Sequence, residues 1–273
     1  MQDPRAIPTD VPGLEVRVDG PLLRIRLARP EKRNAISRAM MQGLVACIEN
    51  APDHESIRAI ELSGAGDHFC GGADFVATND PGRPRPRVGS IHRRTFKEAH
   101  RFIHALVNAQ MPVVCKVRGW AAGIGCHIAC AADFTFAARD ARFSEPFALR
   151  GFSPDSGGTW LLPRLIGVAR AKRLLLLGEE ISGEQAAAWG MIHAALDAAE
   201  LDAAAQALLA RLAEMPTASV GFTKYLVHRS LELDFEHALE QEAFALELTS
   251  RSLDFKEGLA AFKEKRRPKY EGR

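Results

Sequence analysis

Apolar and polar residues alternate over Leu14–Val18 and again over Leu22–Leu27, with Asp19-Gly20-Pro21 between them. Two strands joined as a hairpin are predicted. The polar segment from Arg29 to Ala35 leads into a helix through about Asn50, and Ile57–Ser63 is a strand that runs into a glycine-rich turn from Gly64 to Gly72. Pro81, Pro84 and Pro86, set among glycines and arginines, mark Asn79–Gly89 as a mobile loop. Helical periodicity returns from Ile91 to Ala109, with Phe96, Ala99, Phe102, Ile103 and Leu106 on one face.

Pro112–Val117 is rich in β-branched residues and reads as a strand, after which Gly123 and Gly125 open a short helix through Ala131. Phe134–Ala137 and Arg142–Glu145 are further short strands. From Gly157 onward the pattern is almost wholly helical: Ser182 and Gln185 form a capping box for a helix ending at Gly190. Long helices are expected from Leu201, from Ala218 and from about Asp254. Strands interleaved with helices fill the first half and helices the second, which predicts an α/β core over 1–200 and a helical C-terminal region over 201–273.

Composition narrows the class. A chain of 273 residues, 47% hydrophobic, is long enough for a core that needs neither disulfides nor metal. Its net charge of +2 gives no global attraction to nucleic acid or anionic membranes. Clusters at Arg83, Arg85, Arg87 and at Lys263, Lys265, Arg266, Arg267 read as solvated faces that a phosphate-bearing ligand could also use. No apolar run approaches the roughly 18 residues of a membrane span. Met1 to Glu15 is polar and proline-rich with no signal-type segment, so a cytoplasmic location is expected. Cys47, Cys70, Cys115, Cys126 and Cys130 lack a C-x-x-C pair and are expected as buried free thiols.

Several segments carry candidate chemistry. They are Arg29-Pro30-Glu31-Lys32-Arg33-Asn34-Ala35, Phe69-Cys70-Gly71-Gly72-Ala73-Asp74, Gly119-Trp120-Ala121-Ala122-Gly123-Ile124-Gly125 and Pro154-Asp155-Ser156-Gly157-Gly158-Thr159, followed by the stretch from Glu257 to Arg266. In that order and spacing, over roughly residues 14–270, the chain resembles the enoyl-CoA hydratase/isomerase (crotonase) family. The stretch from Asp155 to Arg164 resembles its epoxyphenylacetyl-CoA isomerase branch. The resemblance implies a spiral of ββα units with a C-terminal helical trimerisation region, assembled as a homotrimer or a dimer of trimers. It implies an acyl-CoA substrate, with coenzyme A as part of that substrate and no permanently bound cofactor.

The chemistry such a substrate needs can be stated from physics. Reaction at the α or β carbon of a thioester builds enolate charge on its oxygen, and two preorganised N–H donors in a dry pocket stabilise it. Glycine turns let backbone approach a ligand closely. By resemblance the donors are the N–H groups of Ala73 and Ile124, the second at a helix start whose dipole favours the anion. Gly123-Ile124-Gly125 is not a dinucleotide fingerprint, because Ile128 stands where the third glycine belongs. Cys126, His127 and Cys130 lack a fourth ligand at a zinc-type spacing, so no metal site is expected.

Where the family's hydratases carry two glutamates, this chain has His127 and, after Pro146, Phe147. His127 is either a proton-transfer group, with its intrinsic pKa near neutral, or a hydrogen-bonded histidine at the pocket wall. Asp155 falls where the family's isomerases carry an acidic group, and a single base suffices to shift a double bond. Its other reading is a helix N-cap. Glu145 is a lesser candidate, sharing a strand face with Phe147. For coenzyme A the resemblance implies Asp74 and Phe75 near the adenine, Lys32 and Arg33 near the phosphates and Ala35 among the binding residues, with Phe262 and Lys265 approaching from a neighbouring subunit. Val76 replaces the lysine that hydratases carry there. Double-bond isomerisation through Asp155 is therefore expected, against two alternatives: a hydratase using His127, and a non-catalytic acyl-CoA-binding or RNA-associated protein of the same fold. Near-neutral charge without a long basic stripe argues against RNA.

Overall fold

The computed structural model describes residues 5–74 and 86–273. The hairpin forms as read: β1 (Leu14–Asp19) pairs antiparallel with β2 (Leu22–Leu27). The helix α1 (Arg38–Asn50) starts at the N-cap Ser37, whose side chain accepts from Met40 N. Next come β3 (Ala59–Gly64), the helices α2 (Ser90–Thr95) and α3 (Arg101–Asn108), and β4 (Val113–Val117). Then follow β5 (Trp120–Ala122), α4 (Ile124–Ala131), β6 (Phe134–Ala138) and β7 (Arg142–Ser144). The rest comprises α5 (Gly158–Leu177), β8 (Glu180–Ser182), α6 (Gly183–Ala188), β9 (Ala194–Leu196), α7 (Leu201–Ala213), α8 (Thr217–Ser230), α9 (Phe235–Thr249) and α10 (Leu253–Glu264).

Among the described residues the larger sheet has the order β1-β2-β3-β4-β6-β9, parallel from β2 onward. A smaller sheet, β5-β7-β8, sits beside it. The period of two sorts the side chains. Leu23, Ile25 and Leu27 join the main core with α1, α3 and α4, whereas Leu22, Ala59, Val114 and Phe136 face Leu201, Ala205 and Leu209 of α7. The packed core thus runs through α7, past the boundary expected at residue 200. Buried Glu61 on that face is held by Arg24 and by Lys116 Nζ at 2.7 Å.

Three short strands escaped the sequence reading. β5, β8 and β9 have three residues each, too few for a period to show. α2 and α3 are joined by a π-helical turn, Phe96–His100. The extra residue of a π turn rotates the faces on either side relative to each other. Phe102, Ile103 and Leu106 are therefore buried as expected, while Phe96 is 66% exposed. The long helix expected from Ala218 breaks before the N-cap Asp234.

α8 is fastened to the core by Lys224, whose buried ammonium donates to Leu106 O at 3.0 Å and pairs with Asp133 Oδ2 at 2.7 Å. Beyond it, many apolar side chains are left open to solvent. Phe235, Leu239, Phe244, Leu246 and Leu248 on α9 and Leu253, Phe255, Leu259 and Phe262 on α10 are all exposed. No helix among the described residues is long and apolar enough to cross a membrane.

Candidate active site

Two glycine turns meet at the centre of the fold. Cys70 and Ala121 form a parallel bridge, with Cys70 N donating to Trp120 O at 2.8 Å and Ala122 N to Cys70 O at 2.9 Å. That register sets Ala73 level with Ile124, each three residues beyond its bridge partner. Gly72 adopts φ +107°, and a Cβ there would stand 3.3 Å from Ala122 O. Gly125 packs closer still, its would-be Cβ 2.6 Å from Cys70 O. Gly123, with φ +52° and ψ −120°, supplies the bend into α4 and donates to Ser144 O at 2.9 Å.

The amides follow from this backbone. Ala73 bridges Ile36 in parallel, with Ile36 N donating to Gly72 O at 2.8 Å and Asp74 N to Ile36 O at 3.0 Å. Ladder geometry turns the N–H of Ala73 itself away from that partner. Ile124 is the first residue of α4, where no intrahelical acceptor exists. Neither N–H has an acceptor among the described residues. Ala73 and Ile124 both line a cavity of about 580 Å³.

The loop before Ile36 is shaped by Asn34, fully buried at φ +56°. Its side chain accepts from Arg29 N at 2.8 Å and donates to Ala65 O at 2.8 Å and His68 O at 2.6 Å. Arg29 then reaches Asp74 Oδ2 at 3.0 Å, with Lys32 Nζ 3.9 Å from the same oxygen. Asp74 lines the cavity. Lys32 and Arg33 are exposed and Ala35 half-buried on the neighbouring loop, none of them at the cavity wall. Phe75, Val76 and residues 79–85 of the Asn79–Gly89 loop lie outside the described residues. Phe262, 83% exposed, and Lys265 lie at the end of α10, away from the cavity of their own chain.

Asp155 lines the cavity too, its Oδ1 accepting from Ser156 Oγ at 2.6 Å. Its side chain caps nothing: α5 begins at Gly158 with Gly157 at the N-cap, and the bond from Gly158 N goes to the backbone oxygen of Asp155. Ser156 at φ +53° and Gly157 at φ +82° make this turn. His127 is absent from the cavity wall. It is fully buried behind Phe147, which does line the cavity, and its Nε2 lies 3.0 Å from Oε2 of equally buried Glu145.

The sequence reading missed other polar groups at this wall: Arg38, Arg94, Glu98 and Arg150. Arg38 Nε and Glu98 Oε1 pair at 2.7 Å. Glu98 lies in the π turn, so its direction could not be read from helical periodicity. The five cysteines are buried and free. Burial pushes the Cys70 thiol up to about 12 against a weaker opposing bond from Gly72, and Cys126 is raised by its contact with Cys130 and by burial.

Known proteins resemble this chain along most of its length. The family model described as enoyl-CoA hydratase/isomerase matches residues 18–273. A 1,2-epoxyphenylacetyl-CoA isomerase of Escherichia coli (strain K12) is 37% identical over 257 residues, covering 94% of this chain and 97% of that protein. A crotonyl-CoA hydratase of Syntrophomonas wolfei is 29% identical, covering 89% and 91%. Among solved structures, an enoyl-CoA hydratase from Bacillus anthracis superposes with a TM-score of 0.88 at 28% identity, covering 96% of this chain and all of that one.

Proposed function

The chain belongs to the enoyl-CoA hydratase/isomerase family, and within it we propose that it moves a double bond along an acyl-CoA thioester, with Asp155 as the acid/base group. The reading rests on one observation: Asp155 lines the same cavity as Ala73 and Ile124, whose N–H groups have no acceptor among the described residues. The thioester oxygen accepts from both amides. Asp155 takes a proton from one allylic carbon, the negative charge passes to the oxygen, and the proton returns to the other carbon as the double bond shifts. No net gain or loss of atoms accompanies the step.

Relatives carry both isomerase and hydratase names. Water addition is the weaker reading here because apolar Phe147 lines the wall and His127 stands behind it. Coenzyme A is part of the substrate in this reading, with Asp74 and the Lys32–Ala35 loop on its nucleotide side. The exposed apolar rows of α9 and α10 support a homotrimer or dimer of trimers, bringing Phe262 and Lys265 to a neighbour's nucleotide. Turnover of a small enoyl-CoA panel in D2O tests the reaction. The proposal expects a shifted double bond with deuterium at Cα or Cγ; a 3-hydroxyacyl-CoA product instead would restore the hydratase.

A further inference from the structure

Directly behind the cavity wall lies a pair of titratable side chains with no role in the reaction described so far. His127 and Glu145 are fully buried and joined through Nε2 and Oε2 at 3.0 Å. The second polar atom of each, His127 Nδ1 and Glu145 Oε1, has no hydrogen-bond partner among the described residues, and the buried Cys126 thiol lies against the Glu145 carboxylate. Burying polar groups only half satisfied costs free energy, so packing stability does not account for the pair.

Its neighbours do. His127 lies one turn beyond Ile124 on α4, and its own N–H closes that turn on Gly123 O at 3.0 Å. The imidazole stacks on Phe147, with planes 6° apart and centroids separated by 5.7 Å. Phe147 in turn fills the space beside Gly123, where a Cβ would stand 3.4 Å from Cζ. Around its Nε2 the imidazole also occupies the room that a side chain at Gly158 would need, with Cε1 2.7 Å and Cδ2 2.9 Å from a would-be Cβ. Gly158 N donates to Asp155 O at 3.3 Å, so this contact reaches the Asp155 turn. Glu145 follows Ser144, whose carbonyl holds Gly123 N.

We propose that His127 and Glu145 are a positioning pair, which fixes the Ile124 amide relative to Asp155 by holding the imidazole against both Phe147 and Gly158. The proposal rests on the reading of Asp155 as the base. Neither residue of the pair lines the cavity. A hydrogen bond is directional, so the bond to Glu145 stops the ring from turning about its own axis, as a ring held by apolar packing alone would be free to do. Misplacing reacting groups by about 1 Å is enough to lose roughly 10²-fold in rate.

The test is kcat and KM of full-length Glu145→Leu and Glu145→Gln on one enoyl-CoA, with kcat counted per acyl-CoA-binding site. Glu145→Leu strands His127 Nε2 and should lower kcat about 10- to 100-fold with KM within about threefold. Glu145→Gln keeps a partner for Nε2 and should recover most of that loss. Wild-type kcat per site in Glu145→Leu would overturn the proposal, since the pair would then only fill space. So would a Glu145→Gln as slow as Glu145→Leu, because the carboxylate charge rather than the bond would then matter. If Glu145→Leu does not fold, His127→Gln carries the test: it keeps a polar group toward Glu145 but removes the ring, so kcat should fall with KM held, and an unchanged kcat refutes positioning. Asp155→Asn in the same series separates the two readings, since turnover surviving there rejects Asp155 as the base whatever the pair does.

Discussion

Gly125→Ala sets two rules against each other. Gly125 is helical with ordinary φ, and alanine is the better helix former by about 1 kcal/mol. Propensity alone therefore predicts a more stable protein. The structure predicts the opposite. The added Cβ would meet Cys70 O at 2.6 Å, Cys70 Cβ at 2.7 Å and Cys70 Sγ at 3.0 Å. Cys70 O cannot retreat without losing its bond from Ala122 N at 2.9 Å, so α4 must move away. Opening the contact from 2.6 Å to the ordinary 3.4 Å displaces the start of α4 by about 0.8 Å. Overpacking of this kind costs about 1–3 kcal/mol, which meets or exceeds the propensity gain. The larger effect falls on function, because the Ile124 N–H moves with α4 while the Ala73 N–H stays. An oxyanion donor works at about 2.7–3.1 Å, so a shift of this size takes one donor out of range, and kcat should fall about 10- to 100-fold with KM little changed. Steady-state kinetics on an enoyl-CoA, paired with thermal unfolding, reads both quantities. A Gly125→Ala protein with raised Tm and wild-type kcat would refute the argument that the two turns are locked through Cys70.

Ile124→Pro removes one amide donor outright and should lower turnover by about 10²-fold or more in a variant shown to fold by circular dichroism; unchanged turnover would remove Ile124 from the mechanism. The exposed apolar positions of α9 and α10 predict a trimer or hexamer by light scattering at micromolar concentration, and a monomer would sink the assembly proposed above. Burial raises the Cys47 and Cys70 thiols to about 12, from ordinary values near 9, so their thiolates are scarce at pH 8. A thiol reagent should therefore leave the native chain's cysteines unmodified while titrating all five after denaturation; fast labelling of the native chain would contradict their burial.

Much of the fold was legible because the signals were local. The Asp19-Gly20-Pro21 hairpin, the capping oxygen of Ser182 on Gln185 N and the start of α4 at Ile124 all appeared where composition and spacing placed them. The π turn was not legible, since one inserted residue leaves no mark on composition yet turns Phe96 to solvent and Glu98 to the cavity. At the site, the sequence singled out Ala73, Ile124 and Asp155 but could not supply the Cys70–Ala121 bridge that sets the first two level. It also left two readings of His127 open, and the choice depends on contacts with Glu145, Phe147 and Gly158 made by different elements. Asp155 as an N-cap was a fair sequence reading that failed locally, because Ser156 and Gly157 carry the chain through positive φ before α5 begins.

The central claim is that Asp155 moves the proton, and Asp155→Asn tests it most directly. The substitution keeps the size of the side chain and an oxygen able to accept from Ser156 Oγ, while removing the base. Folding and acyl-CoA binding should survive, and double-bond isomerisation, read together with deuterium uptake at Cα or Cγ, should fall by about 10²- to 10⁴-fold. His127→Gln should cost less. A nearly silent Asp155→Asn, alongside a His127→Gln that abolishes water addition, would contradict the account.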